Sequence, residues 1–144
     1  MRKTGLIAAF LFMLTSFSFA QDEGANQMLK YSVLYSDSKD VTHFRDQYFL
    51  WNDTGEGYST TPFEDAKQIG FLLIHAGEYF DWHPAPRKQY IMVLDGIMEV
   101  EAGDGEKRKF APGSILLVTD TEGRGHRTNN IGNKPITAAW APVP

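Results

Sequence analysis

The chain has no cysteine among its 144 residues. That absence excludes disulfides, thiolate nucleophiles and thiolate metal ligands together. Any metal would have to be held by histidine, carboxylate or amide oxygen, and there are only four histidines. Basic residues are also scarce. Fourteen Lys and Arg stand against 18 Asp and Glu, a formal net charge of −4. Nucleic acid and anionic membrane surfaces both attract positive patches, so neither is an expected partner. Helix signals are missing as well: past residue 20 no segment holds a 3.6-residue apolar period over an ordinary helix length. No phosphate loop, dinucleotide fingerprint or Ser/His/Asp order supports those enzyme classes.

The one long apolar run is Leu6 to Phe19. Arg2 and Lys3 precede it, and Ser18-Phe19-Ala20 puts small residues at the −3 and −1 positions of a cleavage site. Residues 1–20 therefore read as a secretory signal peptide. The run falls short of the ~20 apolar residues that span a bilayer, and Thr15, Ser16 and Ser18 interrupt it. Cleavage rather than anchoring is expected, with the product periplasmic or secreted and no membrane insertion afterwards. Removing Arg2 and Lys3 makes the charge still more negative. Residues 21–29 read as a flexible lead-in, and 30–144 as one domain with one core.

Within that domain the punctuation is that of short strands. Lys30 to Tyr35 is strand-like, and Asp37 to Asp40 a turn. Val41 to Trp51 is aromatic and mixed, and its type is open. Asn52 to Pro62 reads as a loop, and Phe63 to Lys67 as one short helical turn. Strand signals follow at Ile69–Ala76, Gln89–Leu94, Ile97–Glu101, Lys107–Phe110, Ser114–Thr119, Arg127–Asn130 and Ile136–Trp140. Asp95-Gly96 is a strong hairpin signal, and Pro112-Gly113 marks another turn. Short strands with turns every 8–12 residues indicate an all-β sandwich or barrel.

Two segments stand out. Gly77 to Gly96 places His83 in a polar, aromatic stretch that runs into a β-prone one. Pro112 to Asn130 passes through an apolar strand to a polar loop ending in His126. Gly77, five residues, His83, then Gln89, six residues and Gly96 resemble the first motif of the cupin superfamily. Pro112-Gly113-Ser114, Ile115 to Val118 and His126 resemble the second. Together with the wording Asp81 to Pro86 and Asp120 to His126, they look like a subgroup of small single-domain cupins. The resemblance covers about 68–141 well, and residues 30–67 only through the strand at 30–35 and His43-Phe44. It implies a double-stranded β-helix, a jelly-roll barrel, and a homodimer. It is specific for the fold and weak for function, since cupins include enzymes, sugar-binding regulators and storage proteins.

In metal-binding cupins, two His and one Glu of the first motif join the His of the second. Carried over, His83 takes the first position and His126 the last. Ala85 replaces the second His and Gln89 the Glu. A divalent ion (Fe, Mn, Zn or Ni) on His83, Gln89 and His126 would have a poor but open cage. Gln89 shares strand parity with Ile91 and Val93, so all three face one way. If that is inward, Gln89 needs a partner from ligand, metal or water. Asp120 is placed for general acid/base work, with no pairing partner visible. Trp82 and Tyr90 suit the mouth of a pocket, and Arg87 and Arg127 suit a carboxylate or phosphate. Ordinary surface pairing of Arg87, Arg124 and Arg127 with Asp81, Asp120 or Glu122 is the plainer alternative. His75, in parity with Phe71 and Leu73, reads as a satisfied core residue.

Three functions follow. One is an exported cupin that binds a small molecule in the barrel lumen, its catalysis unproven. Another is a metal-dependent small-cupin enzyme, of the sugar or uronate isomerase or dioxygenase type. A structural role with an exchanged N-terminal strand is a third.

Overall fold

The computed structural model describes residues 28–144. Residues 1–27, which include the expected signal peptide and most of the expected lead-in, lie outside the described residues. The described chain is all β. Twelve strands run in the order β1 (Met28–Ser36), β2 (Thr42–Leu50), β3 (Asn52–Asp53), β4 (Ser59–Thr60), β5 (Gly70–Ile74) and β6 (Tyr79–His83), followed by β7 (Gln89–Asp95), β8 (Met98–Glu101), β9 (Lys107–Phe110), β10 (Ile115–Val118), β11 (His126–Asn130) and β12 (Ile136–Pro142). Six strands form one sheet in the order β2-β1-β10-β7-β12-β5, and four form the other in the order β6-β11-β8-β9. The small β3–β4 ladder stands apart. This is the all-β sandwich that the turn spacing predicts, in the jelly-roll form that the family resemblance implies.

Three expectations need correcting. Strand β1 starts at Met28, so Met28 and Leu29 belong to the sheet rather than the lead-in; they pair with Leu50 and Phe49 on β2. Phe63 to Lys67 forms no helical turn. Phe63 is 97% exposed, so no packing stabilises a turn there. His75 lies just past the end of β5 and is exposed. Its parity partners Phe71 and Leu73 face outward, while Leu72 and Ile74 pack inward.

Alternation along each strand builds the core. Leu34, Phe44, Val93, Leu116, Val118 and Ile136 of the large sheet meet Met98, Val100 and Phe110 of the small one. The large sheet also has an apolar outer face. Tyr31, Val33 and Leu117 are buried there beneath Phe49, Tyr90 and Ile115. Tyr31 stacks on Phe49 at 4.5 Å and meets Tyr90 edge-on.

The turn between β1 and β2 carries a titrating clamp. Asp37 accepts the Lys39 and Val41 N–H groups and lets Asp40 take positive φ. His43 sits between carboxylates: Nδ1 is 2.7 Å from Asp104 and Nε2 3.1 Å from Asp37. The hydrogen bonds to Asp37 and then Asp104 raise the His43 pKa above its usual 6.5. The Val41 and Lys39 N–H groups, with His43, lower that of Asp37. A raised histidine pKa stabilises the fold fully below the unfolded value, and the contribution is lost as pH rises through the folded value. Wild-type stability is therefore expected to fall as pH rises above the ordinary histidine value of about 6.5. His43→Gln should remove that part of the slope. Urea midpoints at half-unit pH steps check this; parallel curves for the two proteins would refute it.

Candidate functional site

The site begins with a register. His126 on β11 pairs directly with His83 on β6, but Thr128 pairs with Phe80 rather than with Asp81. The extra β6 residue is a bulge. In a regular strand His83 would share a face with Asp81 and Tyr79. The bulge instead brings Phe80 onto the inner face beside His83, with ring centroids 6.2 Å apart. The two imidazoles lie 4.5 Å apart at 53°.

These side chains line a cavity of about 180 Å³ between the sheets. Its polar members are His83, Gln89, His126 and Thr128. Leu72, Ile74, Phe80, Ile91, Met98 and Trp140 supply most of the apolar wall. Gln89 is 4% exposed and faces inward as its parity with Ile91 and Val93 requires. His126 is buried, and His83 is half-buried.

Each imidazole is oriented through Nδ1. His83 Nδ1 donates to the Asp81 carbonyl at 2.7 Å. His126 Nδ1 lies 2.6 Å from Asp120 Oδ2. A carboxylate can only accept, so this nitrogen carries the proton. That leaves each Nε2 without a hydrogen-bond partner among the described residues. Asp120 is fully buried, and its Oδ1 has no partner among the described residues. Asp120 lines no part of the cavity, because His126 stands between. Asp120, expected as a general acid/base, is thus placed out of contact with the cavity and against His126 Nδ1.

The loop 120–126 is held from three sides. The Asp120 carbonyl accepts from Ala85 N–H, Thr42 donates its hydroxyl to the Gly125 carbonyl, and Gly125 presses on His83. Gly125 has φ +76°, and a Cβ there would sit 1.9 Å from the His83 carbonyl oxygen. Only glycine allows the two histidine segments this close.

The other expected ligand contacts divide. Tyr90 lies on the opposite face of β7 from Gln89, on the outer apolar surface against Tyr31 and Phe49. Adjacent strand residues alternate faces, so Tyr90 does not line the mouth. Trp82 is likewise absent from the lining. The Arg124 and Arg127 guanidiniums lie 3.8 and 4.6 Å from its ring centroid. Arg127 is paired with Asp81 at 3.0 Å and Glu101 at 3.7 Å, which is the surface pairing weighed above. Arg87 is exposed and lies near Gln89 across a second depression. Phe80, Thr128 and Trp140 are lining residues that sequence reasoning missed. Thr128 was findable as the residue two after His126, but Phe80 depends on the bulge.

The donor set does not fit a tightly held metal ion. Anchored Nδ1 atoms with free Nε2 atoms are the arrangement of ligating histidines. Yet among the described residues no group of three His, Cys, Asp or Glu side chains is placed to hold an ion. Ala85, at 3% exposure, is packed into the core where a second histidine would stand. Gln89 brings no charge to offset a dication.

No curated protein gives a significant sequence match. Solved structures with a similar course include a cupin superfamily protein from Desulfitobacterium hafniense, at 17% identity over 58% of this chain and 72% of that one, TM-score 0.43. A putative ethanolamine utilization protein from Salmonella typhimurium matches at 16% identity over 81% and 97%, TM-score 0.44. A sugar phosphate isomerase of the cupin superfamily from Silicibacter pomeroyi matches at 11% identity over 83% and 73%, TM-score 0.44. The cupin domain profile matches residues 70–142, just over half of the chain and the whole stretch from β5 to β12. The chain belongs to the cupin family.

Proposed function

We propose that this protein is an exported cupin that binds a small molecule in the cavity beneath His83 and His126, without a resident metal. The observation that carries the reading is the cavity itself: a mostly apolar space in which two oriented imidazoles and the Gln89 amide meet. Such convergence of a few polar groups on an apolar wall is what small-molecule sites present. An apolar cavity of about 150 Å³ takes up benzene, so about 180 Å³ suits one ring with a substituent that hydrogen-bonds. The leader pattern at residues 1–20 supports export.

Thermal shift tests the binding. Monocyclic compounds with one hydrogen-bonding substituent, such as phenol and benzamide, should raise Tm by several degrees near saturation. His126→Ala should abolish the rise. A screen in which glucose and glucuronate stabilise the protein and the ring compounds do not would reject this reading.

The metal-dependent enzyme is the second reading, and the two anchored imidazoles favour it. Elemental analysis of untagged protein decides between them. Well under one equivalent of Fe, Mn, Zn or Ni is expected, even after each is supplied. One equivalent that disappears in His83→Ala would replace our reading with the enzyme.

A further inference from the structure

The histidine cavity shares a wall with a second, wider depression. This outer space is about 480 Å³ and is lined by Gln68, Gly70, Arg87, Gln89, Trp140 and Pro142 among others. Gln89 and Trp140 line both spaces. They are the partition between an outer vestibule and the inner cavity. Trp140 holds its place because its register partner is Gly70. A Cβ on Gly70 would lie 2.3 Å from the Trp140 indole nitrogen, so the ring lies across bare backbone.

Charge in these two spaces is one-sided. The chain carries 18 acidic residues, yet neither lining includes a carboxylate. Arg87 is the one Lys or Arg in either lining. Like Arg45 and Arg124, it takes part in none of the ion pairs among the described residues, and of these three it alone borders the two spaces. A guanidinium at the rim of a site, unneutralised by protein, is set up to pair with an anion in a two-pronged hydrogen bond.

We propose that the ligand is a monocarboxylate with a ring-sized apolar body. Its carboxylate pairs with Arg87 in the vestibule, and its body passes Gln89 and Trp140 into the histidine cavity. A single cation selects one negative charge; a dianion such as a phosphate monoester would lack a second. This rests on the reading of the inner cavity as a small-molecule site and adds the class and the direction of the ligand.

Benzoate and benzamide test it, being nearly the same shape and differing in charge. Calorimetric titration of wild type and Arg87→Gln with both compounds gives four affinities. Arg87 is exposed, so its replacement leaves the core intact. Wild type should bind benzoate about tenfold more tightly than benzamide, the worth of one charge-assisted hydrogen bond at a part-open site. Arg87→Gln should remove that preference while benzamide affinity stays the same. Equal binding of the two by wild type overturns the carboxylate assignment and leaves the cavity reading standing. A benzoate preference that survives in Arg87→Gln overturns it too, because the carboxylate then lies at the histidines. Failure of both compounds to bind wild type removes the cavity reading and this inference with it.

Discussion

Gly125→Ala is expected to destabilise the protein by about 3–5 kcal/mol, most of a typical domain's stability. Two costs add. An alanine at φ +76° is strained by about 1–3 kcal/mol. The new methyl also overlaps the His83 carbonyl oxygen at 1.9 Å, the carbonyl carbon at 2.2 Å and Pro84 N at 2.3 Å. All three are backbone atoms, so no side chain can swing aside, and one strand must move. The natural control is Gly105→Ala. Gly105 has φ +92°, but nothing lies within 4 Å of its ideal Cβ, so that variant bears the conformational cost alone. Urea unfolding of both proteins separates the terms. Gly125→Ala should lose at least twice as much as Gly105→Ala. In whatever remains folded, the proximity of His83 and His126 should be gone, read as lost cross-peaks between the two imidazoles. Equal losses for the two variants would mean that the close approach of the two loops holds nothing together.

This contact also marks where the sequence stops being readable. Turns are legible because their chemistry is local. Asp95-Gly96 and Pro112-Gly113 announce themselves, and Gly96 and Gly113 take the positive φ expected. Central strands are legible because burial on a known face imposes alternation, as Gln89, Ile91 and Val93 show. Edge strands are not. Only Thr42 and Phe44 are buried along β2, which has one neighbour, so its pattern looks mixed. Strand β6 is the edge of the small sheet and exposes Tyr79, Phe80 and Asp81. Its bulge shifts the period by one, which no propensity reveals. The same alternation that turns Gln89 inward turns Tyr90 outward, against Tyr31 and Phe49. The family spacing located His83, Gln89 and His126. It said nothing of Asp120 as a partner, because the bend through Gly123 and Gly125 at φ +75° and +76° carries the chain back on itself.

Asp120→Ala is expected to cost about 3 kcal/mol, whereas Asp120→Asn should cost about 1 kcal/mol. Asp120 has 0% and His126 8% of the side chain exposed. Truncation to Ala leaves the His126 Nδ1–H buried with no acceptor, and water cannot easily replace the carboxylate. Asparagine keeps the volume and one acceptor oxygen, so packing survives, but its amide can instead donate to Nδ1. That possibility makes the more informative readout chemical rather than thermodynamic. In the neutral ring the carboxylate fixes the proton on Nδ1, so that Nε2 presents its lone pair to the cavity. In Asp120→Asn the two tautomers should mix, seen in the nitrogen shifts of His126, and a ligand that donates to Nε2 should bind severalfold more weakly. His83 is the internal reference, since its Nδ1 is held by the Asp81 carbonyl and not by Asp120. A His126 tautomer unmoved in both variants, with Tm within a degree of wild type, would mean that the buried carboxylate neither orients the ring nor supports the fold. The 2.6 Å contact between Asp120 Oδ2 and His126 Nδ1 argues the other way. A fully buried carboxylate is explained by the group it holds, and that group is the His126 ring.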